Sequence, residues 1–402
     1  LRFFAAKLRI FCRFTLKSYL YRTFYLSAMR IGYDAKRLFF NRSGLGNYSR
    51  STVGLLARYH PENDYVLFSP RDPRGGEGID FPLMEQMHVR YPHGLWGSAP
   101  SLWRVGRMGH AARSEGLDIF HGLSNELPSD IRSAHARSVV TMHDLIFVRY
   151  PQLYKPFDRA VYKKKYRRSC QAADRIIAIS NQTREDLIDY WHVPEEKIEV
   201  IYQGCNPIFS EKASAARKAE VRKRYDLPKE YIVGVGTIEP RKNLLQTVTA
   251  VATGGLDIDI VAVGRATPYA DLLRKIAARY DILDRLHLVH DAAFEELPAI
   301  YQMSRAAVYN SVFEGFGIPI LEALNSGVPV ITTSGGVFEE TGGNAALYVD
   351  LNDTEGMVEA LRRALYDRKA REEAIMRGYI HAAKFREEAI AENLMKFYRS
   401  VL

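Results

Sequence analysis

The chain has 402 residues, enough for two ordinary domains with a core each. Its hydrophobic (47%) and charged (26%) fractions are those of a globular protein, and Cys12, Cys170 and Cys205 are too few and too scattered for a disulfide framework or a metal knot. The net charge of +9 is lopsided: residues 1–28 carry Arg2, Lys7, Arg9, Arg13, Lys17 and Arg22 with no acid, so the remainder is only mildly basic, which argues against a nucleic-acid-binding body.

Residues 1–28 are an N-terminal extension with two readings. No run of about 18 uncharged apolar residues marks a transmembrane helix, and charges break up any signal-peptide core. On a helical wheel Arg2, Arg9, Arg13 and Lys17 share an arc, with Phe4, Phe11, Phe14 and Tyr25 largely opposite, although Lys7 and Arg22 fall on the aromatic side. That suits a helix lying on an anionic membrane surface. The other reading is upstream translation, because Met29 opens a clean first strand. The expected location is the cytoplasm, with a peripheral position on the cytoplasmic face of the membrane if the first reading holds.

From Met29 onward apolar strands alternate with amphipathic helices. IGYDA predicts a strand, GNYSRSTVGLLARY a helix and YVLFSP a strand. Residues 71–100 are rich in Gly and Pro and read as loop. DIFHG, SVVTMHDL, RIIAIS and IEVIYQG predict four more strands. The pattern restarts after residues 206–228, read as a linker, with YIVGVGT, IDIVAVG, LHLVH, AAVYNS, VPVITT and ALYVD. Such alternation predicts parallel sheets covered on both faces. The expectation is an α/β protein of two doubly wound, Rossmann-like domains, 29–205 and 229–380, with a cleft between them.

The segment Phe313–Gly327, FEGFGIPILEALNSG, is the densest in chemistry. It reads as a loop after a strand, then a helix with Pro319 in its first turn and Gly327 after its end. Glu314 falls in the loop and Glu322 about one turn into the helix. Open α/β sheets bind ligands at that edge. Glycine lets backbone approach a phosphate closely, and a helix N-terminus attracts anions. Glu322 can accept hydrogen bonds from both hydroxyls of a ribose, and Glu314 can do the same for a sugar. Two carboxylates beside a diphosphate need cations, and GVGTIEPRKN offers Arg241 and Lys242.

This combination resembles the retaining, GT-B-fold glycosyltransferases of family GT4. The likeness rests on the E-x7-E spacing of Glu314 and Glu322 within EGFGIPILEALNSGVPVI, and on GTIEPRKN as a diphosphate-binding loop. It covers nearly everything from Met29 on. It implies a hexose transferase using a nucleotide diphosphate sugar and a glycan or lipid-linked acceptor. It also implies front-side attack, in which the departing phosphate takes the acceptor proton. The GTIEPRKN subtype resembles mannosyltransferases of bacterial surface polysaccharide assembly, so GDP-mannose is the first choice of donor. In that fold the last helix, 381–402, crosses back to the first domain. Two alternatives stay open: an epimerase or phosphorylase on the same fold, and a non-catalytic carbohydrate-binding protein.

The resemblance also assigns expected roles. Glu314 and His143 become the catalytic pair, orienting the sugar and stabilising charge at its anomeric carbon. Donor contacts fall to Arg241, Lys242, Glu322, Phe316, Gly317, Ile318, Gly44, Gly46 and Gly264. Asn47, Tyr48 and His121 are expected to face the acceptor. Many members carry a basic residue after the loop glycine, whereas Thr237 follows Gly236 here, so neutralisation rests on Arg241 and Lys242. No His/Asp cluster of metal-ligand spacing is found, so no metal and no cofactor are expected. Glu339 and Glu340 are expected to start a short helix.

Overall fold

The structure is a computed structural model and describes residues 28–402. All but Ala28 of the N-terminal extension lies outside the described residues. The chain divides into two compact units. One holds the described residues up to Thr141 with Ser169–Ile176 and Ala391–Leu402; the other holds Met142–Arg168 and Ile177–Ile390.

Thirteen strands are described: β1 (Arg30–Asp34), β2 (Asp64–Phe68), β3 (Met87–Arg90), β4 (Ile119–Gly122), β5 (Arg137–Met142), β6 (Arg175–Ala178), β7 (Ile198–Val200), β8 (Tyr231–Val235), β9 (Asp259–Val263), β10 (Leu286–Val289), β11 (Ala306–Tyr309), β12 (Val330–Thr333) and β13 (Leu347–Val349). The first sheet runs β3-β2-β1-β4-β5-β6-β7 and the second β10-β9-β8-β11-β12-β13. Pairing is parallel: Ile31 lies opposite Tyr65 on one side and Ile119 on the other, and Ala306 lies opposite Ile232. Both sheets reverse their strand order beside their first strand, at β1/β4 and at β8/β11. The carboxyl ends at such a reversal form a crevice that takes ligands in open α/β sheets.

Continuous apolar strands explain the burial. Ile232, Ile260, Val308 and Ile331 of the second sheet pack against Val248, Val251, Leu273 and Leu361 of its helices. In the first unit Val66, Phe68 and Phe120 pack against Trp103, Met108 and Ala112. At about 25 cal/mol per Å² of apolar surface, each such fully buried side chain stabilises its unit by roughly 1.5–3 kcal/mol.

All the predicted strands form. One is added: β3 lies in the stretch 71–100, read above as loop. Its sequence MHVR is short and half polar, so no period-2 signal betrays it. The stretch 206–228 contains a helix, Ala215–Arg224, whose Arg217 and Arg224 both reach the buried carboxylate of Glu296. The last helix, Glu387–Val401, falls mostly in the residues that group with the first unit, where the Tyr398 hydroxyl lies 3.4 Å from that of Tyr33. No helix among the described residues is long and apolar enough to cross a membrane.

Candidate active site

The second sheet's strand-order reversal brings two loops together, one after β8 and one after β11. After β8, Gly236 turns with φ 142°, and Pro240–Lys242 form a single 3-10 turn before the helix Leu244–Thr253. After β11, residues 310–317 lead into the helix Ile318–Asn325, which Gly317 caps with φ 98°, a conformation that favours glycine. Pro319 takes the second position of that helix, where no N–H is missed. Two hydrogen bonds stitch the loops together: the Val312 N–H donates to the Arg241 carbonyl at 2.8 Å, and the Arg241 guanidinium donates to the Phe313 carbonyl at 2.9 Å.

The side chains meet in one ionic cluster. An oxygen of Glu314 lies 2.6 Å from Arg241 Nη1 and 2.7 Å from Lys242 Nζ. Arg241 also pairs with Glu239 at 2.7 Å. Lys242 donates to the Tyr309 hydroxyl at 2.7 Å and lies 4.5 Å from the centre of that ring. Burial alone would raise the Glu314 carboxyl, but the two cations outweigh it and hold its pKa down at about 2. For Lys242 burial wins, and its pKa falls below the ordinary lysine value despite Glu314. Cations at the start of a helix oppose the helix dipole. Arg241 and Lys242 therefore add to the positive field of the Leu244–Thr253 N-terminus, and Glu314 and Glu239 balance their charge.

Glu322 sits one turn into its helix and is buried, with the Tyr301 hydroxyl donating to it at 3.1 Å. Burial raises its pKa to about 7. The two glutamates of the pair are thus electrostatically opposite: Glu314 is held ionised, and Glu322 is poised near neutrality. Strong perturbation of opposite sign in one crevice makes the pair a candidate functional site.

His143 and Asp144 end β5 and lie against the same loop. The His143 carbonyl accepts from the Thr183 hydroxyl at 3.1 Å and lies so close to Gly315 that a Cβ there would collide with it. Ser180 holds the Gly315 carbonyl at 2.8 Å. Burial pushes the Asp144 carboxyl up to about 6. Glu340, in the short helix Val337–Gly342, accepts from the N–H groups of Asn181 at 2.8 Å and Gln182 at 3.0 Å, the first residues of the helix Asn181–Trp191. The dipole it meets is that of this second helix, in addition to the short helix that Glu339 and Glu340 are expected to start.

The other expected site residues fall in varied places. Gly264 turns at the end of β9 with φ 152°, and a side chain there would strike the Gly236 carbonyl, so the two glycines are matched to let the loops cross. Ile318 is half-buried at the helix start. Phe316 is buried, its ring packed on Tyr202 and Phe385 at 5.7 and 5.9 Å. In the first unit the helix Gly44–Tyr59 begins at Gly44, so both glycines lie in its first turn. Gly44 faces open space, whereas a Cβ on Gly46 would overlap the Asn41 carbonyl. Asn47 is exposed and accepts from Arg50 at 2.6 Å. Tyr48 is buried with its hydroxyl 3.0 Å from that of Thr141. His121 is fully buried, with Nδ1 2.6 Å from the Tyr398 hydroxyl and Nε2 2.8 Å from that of Thr141. Both ring nitrogens are engaged inside the unit, so no acceptor role is carried forward for it.

Tyr309, Tyr301 and Glu239 complete the cluster without having been singled out. Tyr309 closes the strand AAVY one residue before the loop, and that position was its only signal. Arg149 is a further addition. It pairs with the buried carboxylate of Asp186 at 2.7 Å and stacks 5.2 Å from the Phe313 ring, next to Glu314.

Two parallel, doubly wound sheets of this strand order are those of the GT-B fold. The family model described as "Glycosyltransferase Family 4" matches residues 44–208, and that described as "Glycosyl transferases group 1" matches residues 217–381. The chain belongs to glycosyltransferase family 4. It is similar to O-antigen chain mannosyltransferase B of Escherichia coli, 29% identical over 390 residues, which cover 92% of this chain and all of the relative. It also resembles the O-antigen chain mannosyltransferase RfbU of Salmonella typhimurium, 27% identical over 56% of this chain and 59% of that protein. Among solved structures, Anabaena Alr3699/HepE in complex with UDP and glucose superposes with a TM-score of 0.70 at 17% identity, over 92% of this chain and all of that one.

Proposed function

We propose that this glycosyltransferase moves a hexose, with mannose from GDP-mannose as the first choice, to a glycan or lipid-linked acceptor with retention and without a metal. The observation that carries the reading is the cluster of Arg241, Lys242 and Glu314 at the β8/β11 crevice, with Glu322 one helical turn behind it. The mannose assignment draws on the two O-antigen mannosyltransferases that the chain resembles.

Arg241 and Lys242 take the leaving diphosphate, where preorganised positive charge stabilises the transition state. In doing so they release the Glu314 carboxylate, which then accepts from hydroxyls of the transferred sugar. Glu322 receives the ribose hydroxyls in place of the Tyr301 hydroxyl. Acceptor attack comes from the face the diphosphate leaves, so the diphosphate oxygen takes the acceptor proton and the anomeric configuration is kept.

The test supplies the purified protein with GDP-mannose, or in turn other sugar nucleotides, and a synthetic lipid-linked saccharide in the presence of EDTA. The product's anomeric centre is read by NMR. An α-linked product from the α-configured donor, formed with EDTA present, is expected. An inverted product, a strict metal requirement, or isomerisation of the donor without transfer would each contradict the reading, the last in favour of an epimerase.

A further inference from the structure

We propose that the helix Pro156–Ala172 docks the protein on an anionic lipid surface. Its inner side is fixed: Tyr162 and Tyr166 stack at 5.6 Å and meet the Phe147 ring at 5.8 and 5.6 Å. Its outer side carries Lys163, Lys164 and Arg167, all exposed. Among the described residues these three have no hydrogen-bond or ion-pair partner.

Solvated helices of this chain interleave their charges. Arg217 and Arg224 pair with Glu220 on one, and Arg368 pairs with Glu372 on another. Among the described residues, Lys163, Lys164 and Arg167 of the Pro156–Ala172 helix have no such pair. Arg159, Lys163, Lys164, Lys165, Arg167 and Arg168 stand against Asp158 as its single acid. A solvated face needs no such excess, and the self-repulsion costs stability unless an anionic partner offsets it.

Apolar groups select a bilayer over other polyanions. Phe157 is 77% exposed and Leu153, just before the helix, 40%. On the wheel Phe157 lies between Lys164 and Arg168, so an aromatic ring projects from the middle of the basic face. A basic helix with an outward aromatic is the pattern of interfacial binding, where cations meet lipid headgroups and the ring enters the acyl boundary. The proposal stands apart from the transfer chemistry, because partition onto lipid is read without donor or acceptor.

The test measures co-sedimentation of the full chain with vesicles of phosphatidylcholine alone or mixed with phosphatidylglycerol. Replacing Lys163, Lys164 and Arg167 together by glutamine should lower partition onto the anionic vesicles by roughly 100-fold, at about 1 kcal/mol per cation. Residues 1–28 are the same in both proteins, so the difference belongs to this helix. Phe157→Ser should lower partition at raised salt, where charge attraction is screened. Because all four side chains project into solvent, both variants should keep the wild-type circular dichroism. Equal partition of wild type and triple variant, equal binding to neutral vesicles, or no effect of Phe157→Ser would overturn the proposal. So would a triple variant that loses only single-stranded oligonucleotide binding, which would mark a nucleic-acid face.

Discussion

Replacing Glu314 by glutamine tests the ionic cluster on which the site is built. The variant keeps the side chain's shape and removes its charge, leaving Arg241 and Lys242 without the carboxylate 2.6 and 2.7 Å away. The folded pKa of Glu314 is about 2 against 4.5 for a free glutamate. At about 1.4 kcal/mol per pKa unit, the charged form contributes roughly 3 kcal/mol at neutral pH. Removing one partner of a buried ion pair costs a similar amount, about 3–5 kcal/mol. Because the folded pKa lies below the unfolded one, this stability is present above pH 4.5 and lost as pH falls toward 2. About half should remain at pH 3. Hydrogen exchange read by mass spectrometry gives the opening free energies of the peptides around β8 and β11. Glu314→Gln should lower them by roughly 3 kcal/mol at pH 7 and by about half that at pH 3. Free nucleotide diphosphate should bind the variant at least as tightly as wild type, since Lys242 is released and Arg241 keeps Glu239, while transfer collapses. An equally protected variant, or a difference that does not change with pH, would refute the electrostatic argument.

Glu322→Gln should act in the opposite direction. The folded pKa of about 7 lies above 4.5, so the wild type loses stability as pH rises between those values, and the variant should be the more stable by up to roughly 3 kcal/mol at pH 8. A thermal melt that falls with pH equally in both proteins would contradict this. Gly315→Ala should destabilise the loop by forcing it off the His143 carbonyl, raising exchange in residues 310–317 and lowering transfer; unaltered exchange there would contradict the close packing.

The fold was legible because its strands are continuous apolar runs at regular intervals, whereas the reversal at β8/β11 is seen only in the structure. The site was legible as a place: the loops after YIVGV and AAVY hold its charged groups. Its pairing was not. The sequence reading gave the cations to the diphosphate and Glu314 to the sugar, whereas Glu314 binds those same cations across about seventy residues of chain. A position at a strand end fixes which edge a residue occupies, not which way its side chain turns. His121, in β4, and Tyr48, in the helix Gly44–Tyr59, turn inward to Thr141, and His121 also to Tyr398. Phe316 likewise turns to Tyr202 and Phe385. The basic face of Pro156–Ala172 was passed over because only the structure tells which of its cations remain exposed.

The account's central claim is that the β8/β11 crevice binds a nucleotide diphosphate through Arg241, Lys242 and Glu322. Titration calorimetry of GDP and UDP in EDTA, against wild type, Glu322→Ala and the Arg241→Ala/Lys242→Ala double variant, tests it most directly. Wild type should bind one of the two. Glu322→Ala should bind it at least tenfold more weakly, as charge-assisted hydrogen bonds of roughly 1.5–3 kcal/mol are lost, and the double variant should show no measurable binding. Folded variants that bind the nucleotide with wild-type affinity would place the donor elsewhere and contradict the account.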